Sequence, residues 1–231
     1  MLFSLGHTGP TVLGSNGLIT VPSAYLYEDG TILLGYKYES ETFPHYRNSS
    51  SPLKEPGIIG AITYLPFLEV SFRYNLEPFT DRLANIRLKL YDETKYIPTV
   101  TIGLRDGLTL LRGVKNTEGY GEEQTSYYNT VYLVTSKTFE LEFLDIKQIL
   151  SLTIGGGYSD FENSKHKHLH GIFGGIEWQP LKSIPIALMA DYDTKEFGLG
   201  ISTKLFDHFY GSFSTREFQS FAFIIATSVN I

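Results

Sequence analysis

Charged side chains recur at alternate positions in three neighbouring segments, beginning with Glu69 and Arg73 and ending at Arg105. Two carboxylates farther along the chain follow the same alternation. The predicted charged network comprises Glu69, Arg73, Arg87, Lys89, Glu93, Arg105, Glu177 and Asp191, and Asp193, Lys204 and Arg216 look similarly placed. Rows of opposite charge on one face of a sheet pair across neighbouring strands. They either stabilise a polar interior or line a narrow passage for ions or sugars.

Two of these carboxylates, Asp191 and Asp193, are close enough in sequence to suggest a glycosidase, since such enzymes place two carboxyl groups around the scissile bond. Nothing in the sequence marks a cleft around this pair. No nucleophile elbow is present, so no Ser-His-Asp triad is predicted. The glycines at 155–157 are not followed by the Lys-Ser/Thr of a phosphate-binding loop. The sequence therefore predicts no catalytic residue, no cofactor and a protein that is not an enzyme.

Three histidines, His166, His168 and His170, alternate in a short run and would share one face of a strand. Such spacing can hold zinc or copper. The run lies at a junction between a loop and a strand, among lysine and asparagine residues, and has no obvious fourth ligand. We therefore expect a solvated loop tip and no metal.

The elements that must position these residues alternate with a period of two, which is typical of strands. Between Phe67 and Leu76, polar residues such as Glu69 alternate with apolar residues such as Val70. The same pattern recurs along the chain and predicts about twelve strands, most of them long enough to cross a bilayer when tilted. The predicted strands are 30–39, 58–65, 67–76, 83–91, 97–105, 127–137, 149–158, 169–178, 184–192, 196–204, 208–215 and 218–231.

The connections between the predicted strands alternate in length. Long polar loops (40–57, 106–126 and 159–168) follow the first, fifth and seventh strands, whereas the second, fourth, eighth and tenth strands end in short turns. This asymmetry is typical of outer-membrane barrels. The link at 138–148 is an exception, long where a short turn is expected, and Phe143 to Gln148 could form a short helical turn. Tight turns near Asp193 and Arg216 are also exceptions.

Composition narrows the class of protein. A formal charge of −6 argues against nucleic acid as a partner, and the absence of cysteine excludes disulfides, zinc fingers and thiol nucleophiles. No run of about 18 apolar residues exists that could form a membrane-spanning helix. Aromatic residues such as Tyr64, Tyr158 and Trp178 stand near strand ends, where a membrane barrel carries its aromatic girdles. Further candidates for these girdles are Tyr36, Tyr38 and Tyr74.

These patterns together predict an all-β protein, a transmembrane antiparallel up-and-down β-barrel of about 12 strands. Its apolar faces would meet lipid and its charged network would face the lumen. We expect residues 1–28 to be an N-terminal segment leading into the barrel and 29–231 to form a single barrel domain. A soluble barrel with an apolar, ligand-binding interior has the same period and remains the alternative.

Several short motifs resemble the YjbH family, barrel proteins associated with bacterial exopolysaccharide and capsule export. They occur in order over most of residues 14–195, beginning with Gly17-Leu18-Ile19-Thr20-Val21-Pro22-Ser23-Ala24 and Asp29-Gly30. Later matches are Leu68-Glu69-Val70-Ser71-Phe72-Arg73-Tyr74, Asp81-Arg82, Lys89-Leu90-Tyr91-Asp92-Glu93, Tyr96-Ile97-Pro98, Gly103-Leu104-Arg105-Asp106, Tyr132-Leu133-Val134-Thr135-Ser136-Lys137, Gly155-Gly156-Gly157-Tyr158 and Phe173-Gly174-Gly175-Ile176-Glu177-Trp178.

The resemblance implies a non-enzymatic barrel of the bacterial outer membrane that takes part in export or surface anchoring of an exopolysaccharide or capsule. A structural role within an outer-membrane assembly is equally compatible with it. Outer-membrane lipid is then the expected surrounding, with polysaccharide and other export-machinery proteins as partners. A general porin for small solutes is the alternative on the same scaffold.

Overall fold

The computed structural model describes residues 9–40, 55–76, 82–106, 130–143, 145–159 and 168–231. Within these ranges the chain forms fourteen strands and no helix. Two strands of two residues each come first and lie apart from the rest. The strands are β1 Gly9–Pro10, β2 Asn16–Gly17, β3 Thr31–Glu39, β4 Glu55–Leu65, β5 Leu68–Asn75, β6 Arg82–Tyr91, β7 Thr99–Arg105, β8 Thr130–Phe143, β9 Ile146–Tyr158, β10 Gly171–Gln179, β11 Ile186–Tyr192, β12 Phe197–Leu205, β13 Phe209–Arg216 and β14 Ser220–Asn230.

Strands β3 to β14 form a closed antiparallel barrel in which each strand pairs with its neighbours in sequence. The barrel closes where β14 pairs with β3, with Asn230 opposite Thr31 and Ala222 opposite Glu39. Closure leaves the sheet without an edge strand, as a membrane-spanning sheet requires. The predicted fold, an up-and-down barrel of twelve strands, is confirmed.

The segment 138–148 is not a link, and its described residues, 138–143 and 145–148, form no helical turn. Strand β8 continues to Phe143 and β9 begins at Ile146, so the two strands pair along their full length from Val131 opposite Tyr158 to Phe143 opposite Ile146. The expectation of a short helical turn over Phe143 to Gln148 was therefore wrong. Apolar residues that face outward alternate with charged residues in this part of β8, as they do in a strand. The hairpin turns at Asp145, which has a φ of 62°.

The two ends of the barrel differ. At one end, here called the turn end, β3 begins and short connections join β4 to β5 and β12 to β13. In the three-residue connection from β12 to β13, Phe206 and Asp207 both have positive φ, 51° and 60°, as the central residues of a type I′ turn do. The opposite end, here called the loop end, carries the long connections 40–54, 106–129 and 159–170 together with two tight turns.

The outer surface of the barrel is apolar. Large side chains such as Leu133, Ile201 and Phe213 point outward and are about half exposed. Tyr64, Tyr158 and Trp178 are outward and exposed near strand ends, as predicted, and Tyr38 is half-buried because it stacks on Phe223 at 5.4 Å. Exposed aromatics near the turn end include Tyr64, Phe67, Tyr91, Phe143 and Phe209, and those near the loop end include Tyr36, Tyr158, Tyr192, Phe197 and Phe221.

This distribution is that of a barrel surrounded by lipid, with an apolar outer band between two aromatic girdles. A soluble protein does not expose a continuous apolar surface of this size. Polar residues point inward along the same strands, including Glu69, Arg73 and Asn85. The predicted assignment of faces is therefore correct. No helix within the described parts of the chain has the length and apolarity needed to span a bilayer.

Three cross-strand pairs fit aromatic rings into the barrel wall. Phe173 and Tyr132 point inward, and each lies over a glycine directly opposite on the neighbouring strand, Gly155 and Gly103. A Cβ at Gly155 would come within 2.4 Å of the Phe173 ring. On the outer face, Phe72 covers Gly60 in the same way. These positions need glycine because the ring occupies the space of a side chain.

Candidate functional site

Residues 9–27, here called the plug, lie inside the barrel. Almost every residue of this stretch is buried, although it belongs to none of the barrel strands. Gly9 opposes Gly17 and Pro10 opposes Asn16, so the chain folds back on itself, and a further bridge joins Gly17 to Pro22. Gly14, with a φ of +89°, makes the turn, and its backbone approaches the wall so closely that a Cβ would lie 2.5 Å from the Phe72 carbonyl oxygen.

The middle of the plug is held by an ion pair on the wall. Arg87 of β6 and Glu69 of β5 stand directly opposite each other, are fully buried, and are separated by 2.9 Å between Nη1 and Oε1. The guanidinium of Arg87 also donates to the carbonyl oxygen of Asn16 at 2.9 Å, to that of Tyr25 at 3.1 Å and to that of Ser23.

Glu69 completes this arrangement from the acceptor side. Its carboxylate accepts the backbone N–H groups of Asn16 and Tyr27, each at 3.3 Å. One pair of wall residues thus binds both legs of the plug hairpin. The burial of these two charges is tolerable because each is paired and also hydrogen-bonded to backbone groups. Glu69 and Arg87 together fix the plug backbone in place.

The tip of the plug is held by Asp191 of β11. Its Oδ2 accepts three successive backbone N–H groups, from Ile19 at 3.2 Å, Thr20 at 2.8 Å and Val21 at 3.0 Å. Successive N–H groups that converge in this way form a concave anion-binding site, and the carboxylate of Asp191 fills it. Arg105 donates to the Thr20 carbonyl oxygen at 2.6 Å, so wall residues of both charges meet at the tip.

A second carboxylate near the tip, Asp193, lies in the turn that follows β11. It is paired with Arg216 at 2.8 Å and with His168 Nδ1 at 2.9 Å, and Arg216 in turn donates to the Thr20 hydroxyl. Burial by itself raises the pKa of the Asp193 carboxyl, but the hydrogen bond with His168 and the charge of Arg216 outweigh it and hold this pKa well below its usual range. Asp193 is therefore an ionised anchor.

The returning leg of the plug is bound by hydroxyl groups. The Ala24 N–H donates to the Ser136 hydroxyl at 2.8 Å, and its carbonyl oxygen accepts the Thr101 hydroxyl at 2.6 Å. Toward the turn end, the Tyr25 hydroxyl donates to Glu93, which also accepts the backbone N–H of Thr138 at 3.1 Å. Short polar residues on β7 and β8 thus continue the hold on the plug backbone.

Not all of the predicted network joins the plug. Lys89 is only partly buried and pairs with the exposed Asp92 at 2.5 Å, at the turn end. Arg73 is buried on the inner face of β5. Glu177 is buried on β10 opposite Ser151, and its Oε2 has no hydrogen-bond partner within the described residues. The structure therefore places Glu69 and Arg87 together at the middle of the plug, Arg105 and Asp191 at its tip, and Glu93 against Tyr25 toward the turn end.

Two of the three alternating histidines fall in the described part of the chain. His168 is buried against Asp193, and His170 accepts the backbone N–H of Ser159 at 3.1 Å while packing on Tyr158. His166 lies outside the described residues. The expectation of a solvated loop tip was therefore wrong for His168, because the ring is turned inward toward an ionised partner. Among the described residues, no group of three acidic or histidine side chains could hold a metal ion.

Apolar contacts fill the space that the polar contacts leave. The plug residues Val12, Leu13, Leu18, Ile19 and Val21 are buried. They belong to a core that the wall completes with Leu33, Ile59, Leu83, Tyr132, Phe173, Met189 and Ile224. The barrel interior is thus a packed core, with charges at the wall and an uncharged segment at its centre.

Residues 11–200 match the model of the YjbH family, described as exopolysaccharide biosynthesis protein YbjH. The chain belongs to the YjbH family. The resemblance inferred from the short motifs is thereby confirmed, and the match covers most of the plug as well as the strands from β3 to the first half of β12.

No curated protein matches this YjbH-family chain. Among solved structures, the crystal structure of the COG4313 outer membrane channel from Pseudomonas putida F1 is similar at 10% sequence identity and a TM-score of 0.44. That similarity covers 91% of this chain and 100% of the other. A likeness this distant does not bear on what the YjbH-family protein does.

Of the residues that hold the plug, Asp193 and Arg216 were recognised in the sequence as placed like the network, whereas Ser136 and Thr101 were not predicted. Asp193 and Arg216 share the alternation of the charged rows, and Ser136 and Thr101 are ordinary inward positions of strands. The plug itself carries a recognisable signal, since no charged residue occurs between Gly9 and Tyr27. An uncharged, glycine-rich stretch ahead of strands with charged inner faces can be buried among those faces.

Proposed function

We propose that this YjbH-family protein is a non-enzymatic barrel of the bacterial outer membrane that takes part in export or surface anchoring of an exopolysaccharide or capsule. The family supports the link to exopolysaccharide. The single observation that carries the structural part is the plug, because a barrel whose lumen is packed with its own chain does not pass solutes freely at rest. The protein then acts as a closed component of a larger assembly.

The orientation follows from the connections. Outer-membrane barrels carry short turns on the periplasmic side and long loops outside the cell. We therefore place the turn end, with the connection at Phe206 and Asp207, in the periplasm and the loop end at the cell surface. Outer-membrane lipid contacts the apolar band. Other export proteins would meet the turn end, and polysaccharide would meet the loop end.

A general porin for small solutes is disfavoured by the same geometry. Porins have wide, water-filled lumens, whereas here Arg87, Glu69 and Asp191 are buried against the plug. A soluble ligand-binding barrel is disfavoured because the apolar side chains face outward and the buried interior already has an occupant.

The experiment is a deletion of the coding gene in the source bacterium, followed by separate measurement of intracellular, cell-attached and released exopolysaccharide. A role in export predicts that attached and released polymer fall together while intracellular polymer accumulates. A role in anchoring predicts an unchanged total that moves from the attached to the released fraction. Complementation with the intact gene should restore the distribution.

Unchanged polymer in all three fractions, with the protein verified in the outer membrane of the parent strain, would contradict the proposal. The porin alternative is tested separately in planar bilayers. The purified full chain should show little conductance in buffer, and a steady large conductance from every inserted barrel would favour the porin.

A further inference from the structure

Both ends of the plug lie toward the turn end of the barrel. Gly9 lies beside Tyr210, close to the start of β13 at the turn end. At the other extremity, Gly30 donates to the Thr63 carbonyl oxygen at 2.8 Å and accepts from Ile231 at 3.0 Å, again at the turn end. The tip between them reaches Asp191 near the loop end. A hairpin arranged in this way can leave as a unit, without threading through the wall.

The plug is also separate from the barrel ladder. Its two short strands form a sheet of their own, and none of the twelve barrel strands pairs with them. The contacts that hold it come from side chains such as Arg87, Asp191 and Ser136 to the plug backbone. Withdrawal would therefore leave every strand pairing of the barrel in place, and the wall charges would then face water.

Apolar contacts between the plug and the wall stabilise the closed state of the barrel. Val12, Leu13, Leu18, Ile19 and Val21 each lose a favourable burial when the plug leaves. Their combined contribution keeps the plug in place when nothing pulls on it, so opening requires an added force or a partner that receives the withdrawn segment.

We propose that residues 9–27 form a withdrawable plug, which closes the barrel at rest and opens a charged pore when it leaves through the turn end. Asp191 is the latch at the tip, since one carboxylate oxygen holds three backbone N–H groups. The inference rests on the geometry of the barrel and does not depend on the role in exopolysaccharide export.

The test uses the full chain in lipid vesicles with one added cysteine, which is a unique probe because the sequence contains none. Ala24 is completely buried between the plug and the wall, so A24C reports withdrawal through its reaction with a water-soluble maleimide. Urea supplies the driving force. Labelling should begin at a urea concentration at which the barrel still migrates as the compact, unboiled form on a denaturing gel.

Weakening the latch should ease withdrawal. Hydrogen bonds to a charged group contribute enough that D191A should raise the labelling rate of A24C at a fixed, intermediate urea concentration by about ten- to a hundredfold. The matched control is E39A, since Glu39 is an equally buried wall carboxylate that pairs with Lys37 on its own strand at 2.8 Å. E39A should leave the labelling rate within about threefold of the parent.

Engineered disulfide bonds supply a second test, which remains valid even if D191A does not fold. Oxidised A24C/S136C ties the plug to β8, where the Ala24 nitrogen lies 2.8 Å from the Ser136 hydroxyl, and should abolish conductance in urea until reductant is added. Oxidised S136C/T153C joins two wall strands at hydroxyls that are 2.8 Å apart and should leave conductance in urea unchanged. Labelling of the A24C thiol only where the compact form is lost, or conductance that persists with the plug tied, would overturn the proposal.

Discussion

Replacing Arg87 tests whether the wall charges hold the plug. R87M leaves Glu69 buried without its countercharge and removes the donor from the carbonyl oxygens of Asn16, Ser23 and Tyr25. Breaking one partner of a buried ion pair costs about 3–5 kcal/mol. The carbonyl groups left without a donor add about 1–3 kcal/mol if water does not reach them. The plug should therefore be destabilised by at least about 3 kcal/mol.

The variants E69Q and E69Q/R87M, together with R87M, measure the interaction energy between Glu69 and Arg87 separately from the cost of losing either side chain. E69Q alone leaves Arg87 without its countercharge, whereas E69Q/R87M removes both charges and should cost less than the sum of the single variants. A coupling energy of about 1–3 kcal/mol between Glu69 and Arg87 is expected for two groups in direct contact. The measurement is the urea dependence of maleimide labelling in the A24C background, converted to free energy from the midpoint and slope.

K37M is the matched control, because Lys37 is fully buried and paired at 2.8 Å with Glu39, on the same wall. It should lower the stability of the barrel, read from the temperature at which the compact gel form is lost. It should not move the labelling midpoint of the A24C thiol as R87M does. Equal shifts of that midpoint in R87M and K37M, or costs of E69Q and R87M that simply add, would show that the Glu69–Arg87 pair does not hold the plug.

Two further predictions concern the wall and the lipid face. Because the pKa of the Asp193 carboxyl is lowered by His168 and Arg216, its ionised form stabilises the folded state. The parent protein should therefore be more stable than D193N at pH 7, and this difference should decline as the pH falls below about 4. The measurement is the difference between the two proteins in the urea midpoint of unfolding. On the outer face, I201K places a charge at the middle of β12 and should cost about 2–4 kcal/mol in refolding into vesicles. F206K, in the exposed turn, should cost about 0–1 kcal/mol in the same assay, and equal costs would contradict the lipid-facing assignment.

The barrel could be predicted from the sequence because each strand carries its own signal. Alternation such as that of Glu69 and Val70 identifies both the strand and its two faces, and the lengths of the connections distinguish the two ends of the barrel. The segment from Phe139 to Phe143 was harder to place, because its polar positions are occupied by Glu140 and Glu142 and resemble an exposed link. Pairing with β9 decides its conformation, and that is a property of two segments together.

The plug could not be predicted by the same reasoning. Its residues follow no period, because an irregular hairpin held on all sides has no single buried face. The charged residues were expected to pair with one another, whereas Arg87 and Asp191 direct most of their hydrogen bonds to the backbone of residues 16–25. Side-chain patterns predict contacts between side chains far better than contacts with a backbone, which every sequence possesses.

The barrel wall and the plug contribute different kinds of polar group to the interior. The wall supplies the ionised groups, and ion pairs such as Glu69 with Arg87 keep those charges tolerable in a buried setting. The plug supplies only backbone groups, which need partners because an irregular segment cannot satisfy them internally. The charged side chains of the wall and the backbone groups of the plug therefore supply each other's hydrogen-bond partners. A charged lumen without the plug would need water, and a plug without the charged lumen would leave buried N–H and C=O groups unpaired, so the inner face of the barrel and residues 9–27 form one functional unit.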